Sequence, residues 1–341
     1  MEYELIFNMT NTGKDIHLCY ESDNVSCKMA IIPSTIRVLL YVFLGSISVL
    51  TLCGNLLVII AIIYFKQLHT PTNYLILSLA MSDLLVGALV LPLVIVFSVS
   101  SCWYLGDFIC KIRHSFDVSL TTSSILNLCF ISIDRYVAVC HPLRYKSKIN
   151  ARASAIMILL SWGVSALVGI GITAVGRNEE KCEQLCFSFH IPVSGIIGCV
   201  LSFYLPAVIM LSTYFKIFLV AQKQAHSIQN SNCQSVKSGA SVSKMERKAT
   251  KTLAIVMGAF LICWTPFFTG VTINPLINYS IPITAIETFA LLGSSNSVLN
   301  PFIYAFFYSW FRVAFRMIIS GKIFQGNFGF HDWILRYMRV F

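Results

Sequence analysis

Residues Cys110–Tyr145, CKIRHSFDVSLTTSSILNLCFISIDRYVAVCHPLRY, decide how the rest of the chain is read. The stretch is a long apolar helix with one carboxylate, Asp117, near one end and the cluster Asp134-Arg135-Tyr136 at the other. At about 1.5 Å per residue the two acids stand roughly 25 Å apart, close to the thickness of a hydrocarbon core. One acid then faces the outside of a membrane and the other the cytoplasm. An ionisable side chain inside a span is costly enough that its default role is functional, with a partner to be found.

The flanking sequence agrees with a membrane setting. Over 341 residues, 56% are hydrophobic, 12% are charged and the mean hydropathy is +0.74. That balance excludes an ordinary soluble domain. Working outward from the quoted stretch, apolar runs fall at 36–64, 72–97, 108–140, 153–175, 192–220, 249–273 and 282–306, long enough for seven membrane helices. The expected class is an all-α membrane protein, a seven-transmembrane helix bundle with a short amphipathic eighth helix. Its parts are a polar tail over 1–34, the seven-span bundle over 35–307, and an amphipathic helix with a cytoplasmic tail over 308–341. Residues Met1–Ser34 are polar and the first apolar run is too long for a signal-peptide core, so that run is expected to stay as a span.

The charge pattern sets the orientation. Lys66 and His69 follow the first run, Arg144, Lys146, Lys148 and Arg152 lie between the third and fourth, and Lys223, Lys237, Lys244, Arg247, Lys248 and Lys251 surround the fifth-to-sixth connection. By the positive-inside rule these segments are cytoplasmic and the N-terminus is outside. The net charge of +10 is therefore spread along inner span ends rather than gathered into a nucleic-acid patch. Gln224–Ser243, rich in Ser, Gln and Asn, reads as a flexible cytoplasmic loop. After the last run, Trp310, Phe311, Phe315, Met317 and Ile318 interleave with Arg312, Arg316 and Lys322, the pattern of a helix lying on the inner membrane face. Asn8 and Asn24 head glycosylation triplets in the outer tail. No cysteine pair has the spacing of a metal site.

Polar residues inside the spans carry the remaining signal. Asn55, Asp83, Ser124, Asn296, Ser297 and Asn300 fall at similar depth on neighbouring helices. Hydrogen-bonded glue between helices is the plainer reading of them, and a hydrated cation site at Asp83 is the other. Asp117, Thr121 and Ser124 share one helix face. On the sixth run Phe260, Trp264, Phe267, Phe268 and Val271 form an aromatic stripe around the Pro266 kink. Such a stripe is usually packing; beside a carboxylate it can instead cage a cation. Lys111 and Arg113 are read as pointing elsewhere on the third helix. At the inner end, Arg135 can reach Asp134 or Glu246, a bridge that would hold two helices in one state and release them in another.

From about residue 36 to 325 these residues resemble the rhodopsin-like G-protein-coupled receptors. The matching motifs are Gly54-Asn55, Leu79-Ala80-x-x-Asp83, Cys110, Asp134-Arg135-Tyr136, Trp162, Pro206 with Tyr214, Cys263-Trp264-x-Pro266 and Asn300-Pro301-x-x-Tyr304. Asp117 lies seventeen residues before Asp134, where aminergic receptors keep the carboxylate that pairs with the ligand ammonium. The run from Asn296-Ser297 through Tyr308-x-Trp310-Phe311, together with Phe65–Asn73 and Cys102-Trp103-Tyr104, resembles the trace amine-associated receptors.

That resemblance implies a ligand site made of Asp117, Val118, Thr121, Phe187, Cys199 and Ser202, closed by Trp264, Phe267, Phe268, Val271, Leu291 and Ser294. It implies a switch built from Asp134, Arg135, Tyr136, Tyr214, Glu246, Asn300, Pro301 and Tyr304. No cofactor is implied beyond an allosteric sodium ion at Asp83 with Ser124, Asn296 and Asn300. Cys110 would pair with Cys186, and Cys182 with Cys19 or Cys27. The expected activity is that of a plasma-membrane olfactory receptor for protonated amines, acting through a stimulatory G protein and cyclic AMP, with membrane lipid as its surroundings. The alternative is a serotonin-like or other biogenic amine receptor.

Two departures from the amine-receptor pattern matter. Ser294 stands where many amine receptors place a tyrosine over the acid, and Leu291 stands at a nearby tryptophan position. The fifth span presents Gly198, Cys199 and Ser202 without the second acid of diamine-sensing relatives, which favours monoamines. Glu287 is the one remaining acid able to read a second ammonium, with a solvated rim role as its alternative. The chain shows none of the internal repeats of many transporters, no lysine over 282–306 to carry retinal, and no nucleophile with a base at credible spacing.

Overall fold

The computed structural model describes residues 16–18, 28–30, 33–100, 105–175, 193–230, 237–278, 280–307 and 309–321. Lipid offers no water to backbone groups, so each apolar run satisfies them within itself as a helix. The first span is α1 (Ser34–Tyr64). The second is α2 (Pro71–Leu85) continued by α3 (Leu91–Ser100), and the third is α4 (Gly106–Cys140). A short α5 (Pro142–Lys148) precedes the fourth span, α6 (Ala151–Val175). The fifth is α7 (Val193–Cys199) continued by α8 (Leu205–Asn230), and the sixth is α9 (Lys237–Ile273). The seventh is α10 (Ile283–Ser294) followed by α11 (Asn296–Phe307), and α12 (Ser309–Ile319) ends the described chain.

Local chemistry explains several of these boundaries. Thr70 caps α2 by accepting a hydrogen bond from the Asn73 backbone at 3.3 Å, with Pro71 in the first helical position. Pro142 opens α5 in the same way, directly after the third span stops. The two halves of the second span are joined by a π-helical turn, Val86–Val90, and those of the fifth by another, Val200–Tyr204. A π turn absorbs an extra residue. In the fifth span it sits just before Pro206, and it leaves both Cys199 and Phe203 buried.

The third span is the hub and packs against the second, fourth and fifth. Trp162 ties the fourth span to the second by donating to the Ser78 hydroxyl at 3.0 Å, and Ser161 ties it to the third by donating to the Ser123 carbonyl at 3.1 Å. Burial is inverted relative to a soluble protein. Val38, Leu39, Phe43, Leu159 and Leu167 face outward, as lipid requires, while Asn55, Asp83, Asn127 and Asn300 are buried between helices.

The seventh and first spans meet where Pro301 presses on Gly54. A β-carbon at Gly54 would lie 2.9 Å from the Pro301 side chain, so only glycine permits this approach. Beyond the seventh span the chain turns by 98° into α12. The apolar side of α12, through Val313, Ala314 and Met317, packs on Ala61, Phe65 and Leu68 at the inner end of the first span. The expected amphipathic helix therefore rests its apolar side on a protein floor.

Two readings need correction. Residues 224–230 and 237–243 are helical, so the fifth and sixth spans run on where a flexible loop was expected. Polar composition does not exclude a helix, and Gln, Ala and Lys are all good helix formers. The outer tail contributes a two-stranded antiparallel pair, β1 (Ile16–Leu18) with β2 (Lys28–Ala30), which its polarity did not announce.

Candidate functional site

Three aspartates on the spans define three layers of the bundle. The middle layer is the most fully connected. Asp83 is completely buried and accepts from the Ser124 hydroxyl at 2.9 Å, the Ser297 hydroxyl at 2.8 Å and the Asn300 amide at 2.7 Å, which joins the second, third and seventh spans. Asn55 adds the first span by donating to the Ser297 carbonyl at 3.1 Å. Ser297 thus takes the position on Asp83 expected of Asn296. The amide oxygens of Asn296 and Asn300 are buried without a donor. A carboxylate with buried, unpartnered oxygens nearby is the donor set a hard monovalent cation accepts, so these residues fit the expected sodium ion.

The inner layer centres on Asp134, also completely buried. Its carboxylate accepts from Arg135 Nε at 2.8 Å, from the Thr72 hydroxyl at 2.8 Å and from the Tyr145 hydroxyl at 3.0 Å, and it forms an ion pair with Arg135 at 2.5 Å. Arg135 also donates to Thr72. Burial holds the Tyr145 phenol above its usual pKa. Thr72 and Tyr145 were not anticipated, although Tyr145 ends the stretch that opened the sequence and Thr72 lies within the motif Phe65–Asn73. Tyr136 stacks edge-on to His141 at 5.7 Å, with Lys216 5.7 Å from the centre of its ring. Tyr304 is buried edge-on against Phe311, and Tyr214 is half-buried. The Glu246 side chain lies outside the described residues, as do Phe187, Cys186, Cys182, Cys19, Cys27, Asn8 and Asn24. Cys110 is disulfide-bonded, and Cys199 and Cys263 are free thiols.

The outer layer is different in kind. Asp117 shares its helix face with the buried Thr121 and Ser124, so the carboxylate is aimed into the bundle and not into lipid. It accepts one hydrogen bond, from the Thr121 hydroxyl at 3.5 Å, and makes no direct ion pair among the described residues. Val118 beside it is half-buried. Arg113, expected to point away, lies one turn back on the same face, in charge–charge range of Asp117. The i, i+4 spacing that the sequence already carried is the physical reason. His114 is likewise in range of Asp117.

The aromatic wall is real and deeper than the sixth span alone. Trp264, Phe267 and Phe268 contact one another with ring centres 5.3 to 6.0 Å apart. Phe203 of the fifth span stacks on Phe268 at 4.4 Å, nearly parallel. Phe203 was missed, yet it stands four residues after Cys199, one turn along the same span. A β-carbon at Gly293 would lie 2.4 Å from the Trp264 ring, so the seventh span gives way there to seat the indole. Val271 is buried and Leu291 half-buried. The hydroxyls of Ser202 and Ser294 donate within their own helices, to Gly198 at 2.5 Å and Ala290 at 2.9 Å. Both satisfy backbone rather than offering a donor to a guest.

Among the described residues a small cavity and an open groove flank this wall. One of about 20 Å³ lies inward of it among Met210, Met257, Phe260 and Tyr304. The other, about 470 Å³, lies between α9 and α10 around Thr265, Pro266, Thr269 and Phe289, and does not include Asp117.

Comparison with known proteins converges on one family. The family described as 7 transmembrane receptor (rhodopsin family) matches residues 54–304. Trace amine-associated receptor 1 of Homo sapiens is 45% identical over 322 residues, covering 90% of this chain and 95% of that protein. Trace amine-associated receptor 9 of Rattus norvegicus is 44% identical across 92% of this chain and 96% of its own, and trace amine-associated receptor 4 of Mus musculus is 39% identical across 93% and 95%. With the motifs, the seven spans and these relatives in agreement, the chain belongs to the rhodopsin family of seven-transmembrane receptors, among the trace amine-associated receptors.

Proposed function

We propose that this receptor binds a protonated monoamine whose ammonium pairs with Asp117. The observation that carries the reading is the condition of that carboxylate: aimed into the bundle and, among the described residues, holding a single 3.5 Å hydrogen bond and no direct ion pair. A carboxylate removed from water and left so lightly engaged is stabilised by an incoming cation. Trp264, Phe267 and Phe268 then wall in the organic part of the ligand, their ring faces favouring an ammonium group and excluding water. The names of the relatives, trace amine-associated receptors, agree with an amine.

The signal passes inward by repacking. Displacement of Trp264 against Gly293 loads the sixth span just above its Pro266 kink, and the small inner cavity beside Phe260 gives the aromatic layer room to shift. Asp83 with Ser124, Ser297, Asn296 and Asn300 would hold a sodium ion that neutralises the buried acid in the resting receptor. At the inner end, Arg135 leaves Asp134, Thr72 and Tyr145 as Tyr214 and Tyr304 rearrange, opening a groove for a G protein. Glu246 supplies the resting bridge to the sixth span. Coupling through a stimulatory G protein to cyclic AMP and a role in olfaction are drawn from the family resemblance. So are plasma-membrane residence with the N-terminus outside, glycans on Asn8 and Asn24, and the pairing of Cys110 with Cys186.

The test is Asp117→Ala in cells, with surface labelling and a cyclic AMP dose response to a panel of monoamines. Stranding the ligand charge costs roughly 3–5 kcal/mol, a loss of at least a hundredfold in potency. A variant at normal surface level with an unshifted dose response would refute the pairing.

A further inference from the structure

At its kink the sixth span borders a second site, apart from Asp117. The groove of about 470 Å³ between α9 and α10 runs past Ile262, Thr265, Pro266 and Thr269, with Phe289 as its opposite wall. It opens toward lipid: Ile262 is 71% exposed, and Thr265 is exposed midway along the apolar stretch Ala254–Ile277. Trp264 and Phe268 are buried on the other side of the same helix, so the groove backs onto the aromatic wall without sharing its interior.

Polar groups in this groove lack the partners that a lipid-facing helix normally gives them. Other hydroxyls in the spans return to a carbonyl one turn back: Thr51 donates to Ile47, Ser165 to Ser161 and Thr173 to Gly169. The hydroxyls of Thr265 and Thr269 make no hydrogen bond among the described residues. Pro266 has no N–H, so the Ile262 carbonyl one turn before it loses its helical donor. In hydrocarbon such groups are costly until something satisfies them, and acyl chains carry no donor. We propose that the groove binds an uncharged, membrane-dissolved alcohol, an apolar body with one hydroxyl. That hydroxyl donates to the Ile262 carbonyl and accepts from Thr265 or Thr269, while the apolar part lies along Ile262 and Phe289. A plain hydrocarbon fills the same space but leaves the carbonyl without a donor, and a charged head is excluded by its desolvation cost.

The test photolabels the full-length receptor in phosphatidylcholine nanodiscs with a diazirine-bearing octanol and, in parallel, with the matching diazirine-bearing octane, and maps the label by mass spectrometry. The octanol probe is expected to label the groove residues between 261 and 289 saturably and to be displaced by dodecanol. The octane probe spreads over the lipid-facing helices and is not displaced. Thr265→Val combined with Thr269→Val keeps the shape, removes both hydroxyls and raises the dodecanol concentration for half displacement roughly tenfold. Thr269→Trp fills the groove and abolishes the label there. Label that never saturates overturns the proposal, as does unchanged displacement in the double valine variant. Displacement by cholesterol but not by dodecanol also overturns it, because the groove would then take a sterol. If the double variant cannot be purified, the two probes on wild type decide, and identical labelling patterns overturn it. No readout here involves an amine response, so the groove and the amine site stand or fall separately.

Discussion

Asp83 and Asp117 sit on neighbouring spans of one bundle and have opposite surroundings. Among the described residues Asp83 has three donors from two other helices within 2.9 Å, while Asp117 has one at 3.5 Å from its own helix. In the low dielectric between helices a carboxylate without donors is expensive, so the difference is one of purpose. The middle layer closes its polar groups on one another and thereby fixes helix positions. The outer layer leaves its acid to be completed by something from outside.

The largest expected contrast is therefore in stability. Asp83→Ala strands Ser124, Ser297 and Asn300 at once and should destabilise the detergent-solubilised receptor by roughly 3–5 kcal/mol, read as a clear drop in the thermal midpoint. Asp117→Ala strands no donor from another helix and should leave the ligand-free midpoint unchanged or raised. Equal losses from the two variants would break the comparison.

A sharper version uses two hydroxyls on the same face of α4. Ser124→Ala removes a 2.9 Å bond to Asp83 and Thr121→Val a 3.5 Å bond to Asp117. The first should lower stability by about 1–3 kcal/mol. The second bond is at the geometric limit, so its loss should cost under about 0.5 kcal/mol and appear, if anywhere, in ligand potency. Thermal midpoints without ligand distinguish the two.

The spans themselves were legible because lipid dictates them: an apolar run of sufficient length has no alternative to a helix. The face shared by Asp117, Thr121 and Ser124 was legible for the same geometric reason. Partners across helices were not. Ser297 rather than Asn296 on Asp83 depends on how the seventh span is broken at Ser295, between α10 and α11, a rotation that no local pattern encodes. Thr72 reaches Asp134 across 62 residues of sequence. Arg113 was different: its one-turn spacing from Asp117 puts it on the same helix face, against the reading that it points elsewhere. The inner extensions of the fifth and sixth spans were hidden because polarity was read as coil.

The comparison extends to the inner layer, at Tyr145. Its hydroxyl donates to Asp134 at 3.0 Å from a half-buried position, so Tyr145→Phe should cost about 0.5–1.5 kcal/mol near neutral pH. The pH dependence gives a signature that lost packing would not. Burial raises the folded-state pKa of this phenol above its ordinary value of 10.0, so between the two values the folded receptor binds more protons at this site than the unfolded chain does. Its contribution is complete below pH 10 and is lost as pH rises through the folded-state value. Thermal midpoints of wild type and variant should therefore converge as pH is raised above 10. Parallel curves would mean that Tyr145 supports Asp134 by shape alone, and that the inner layer is less closed around its acid than the middle layer is around Asp83.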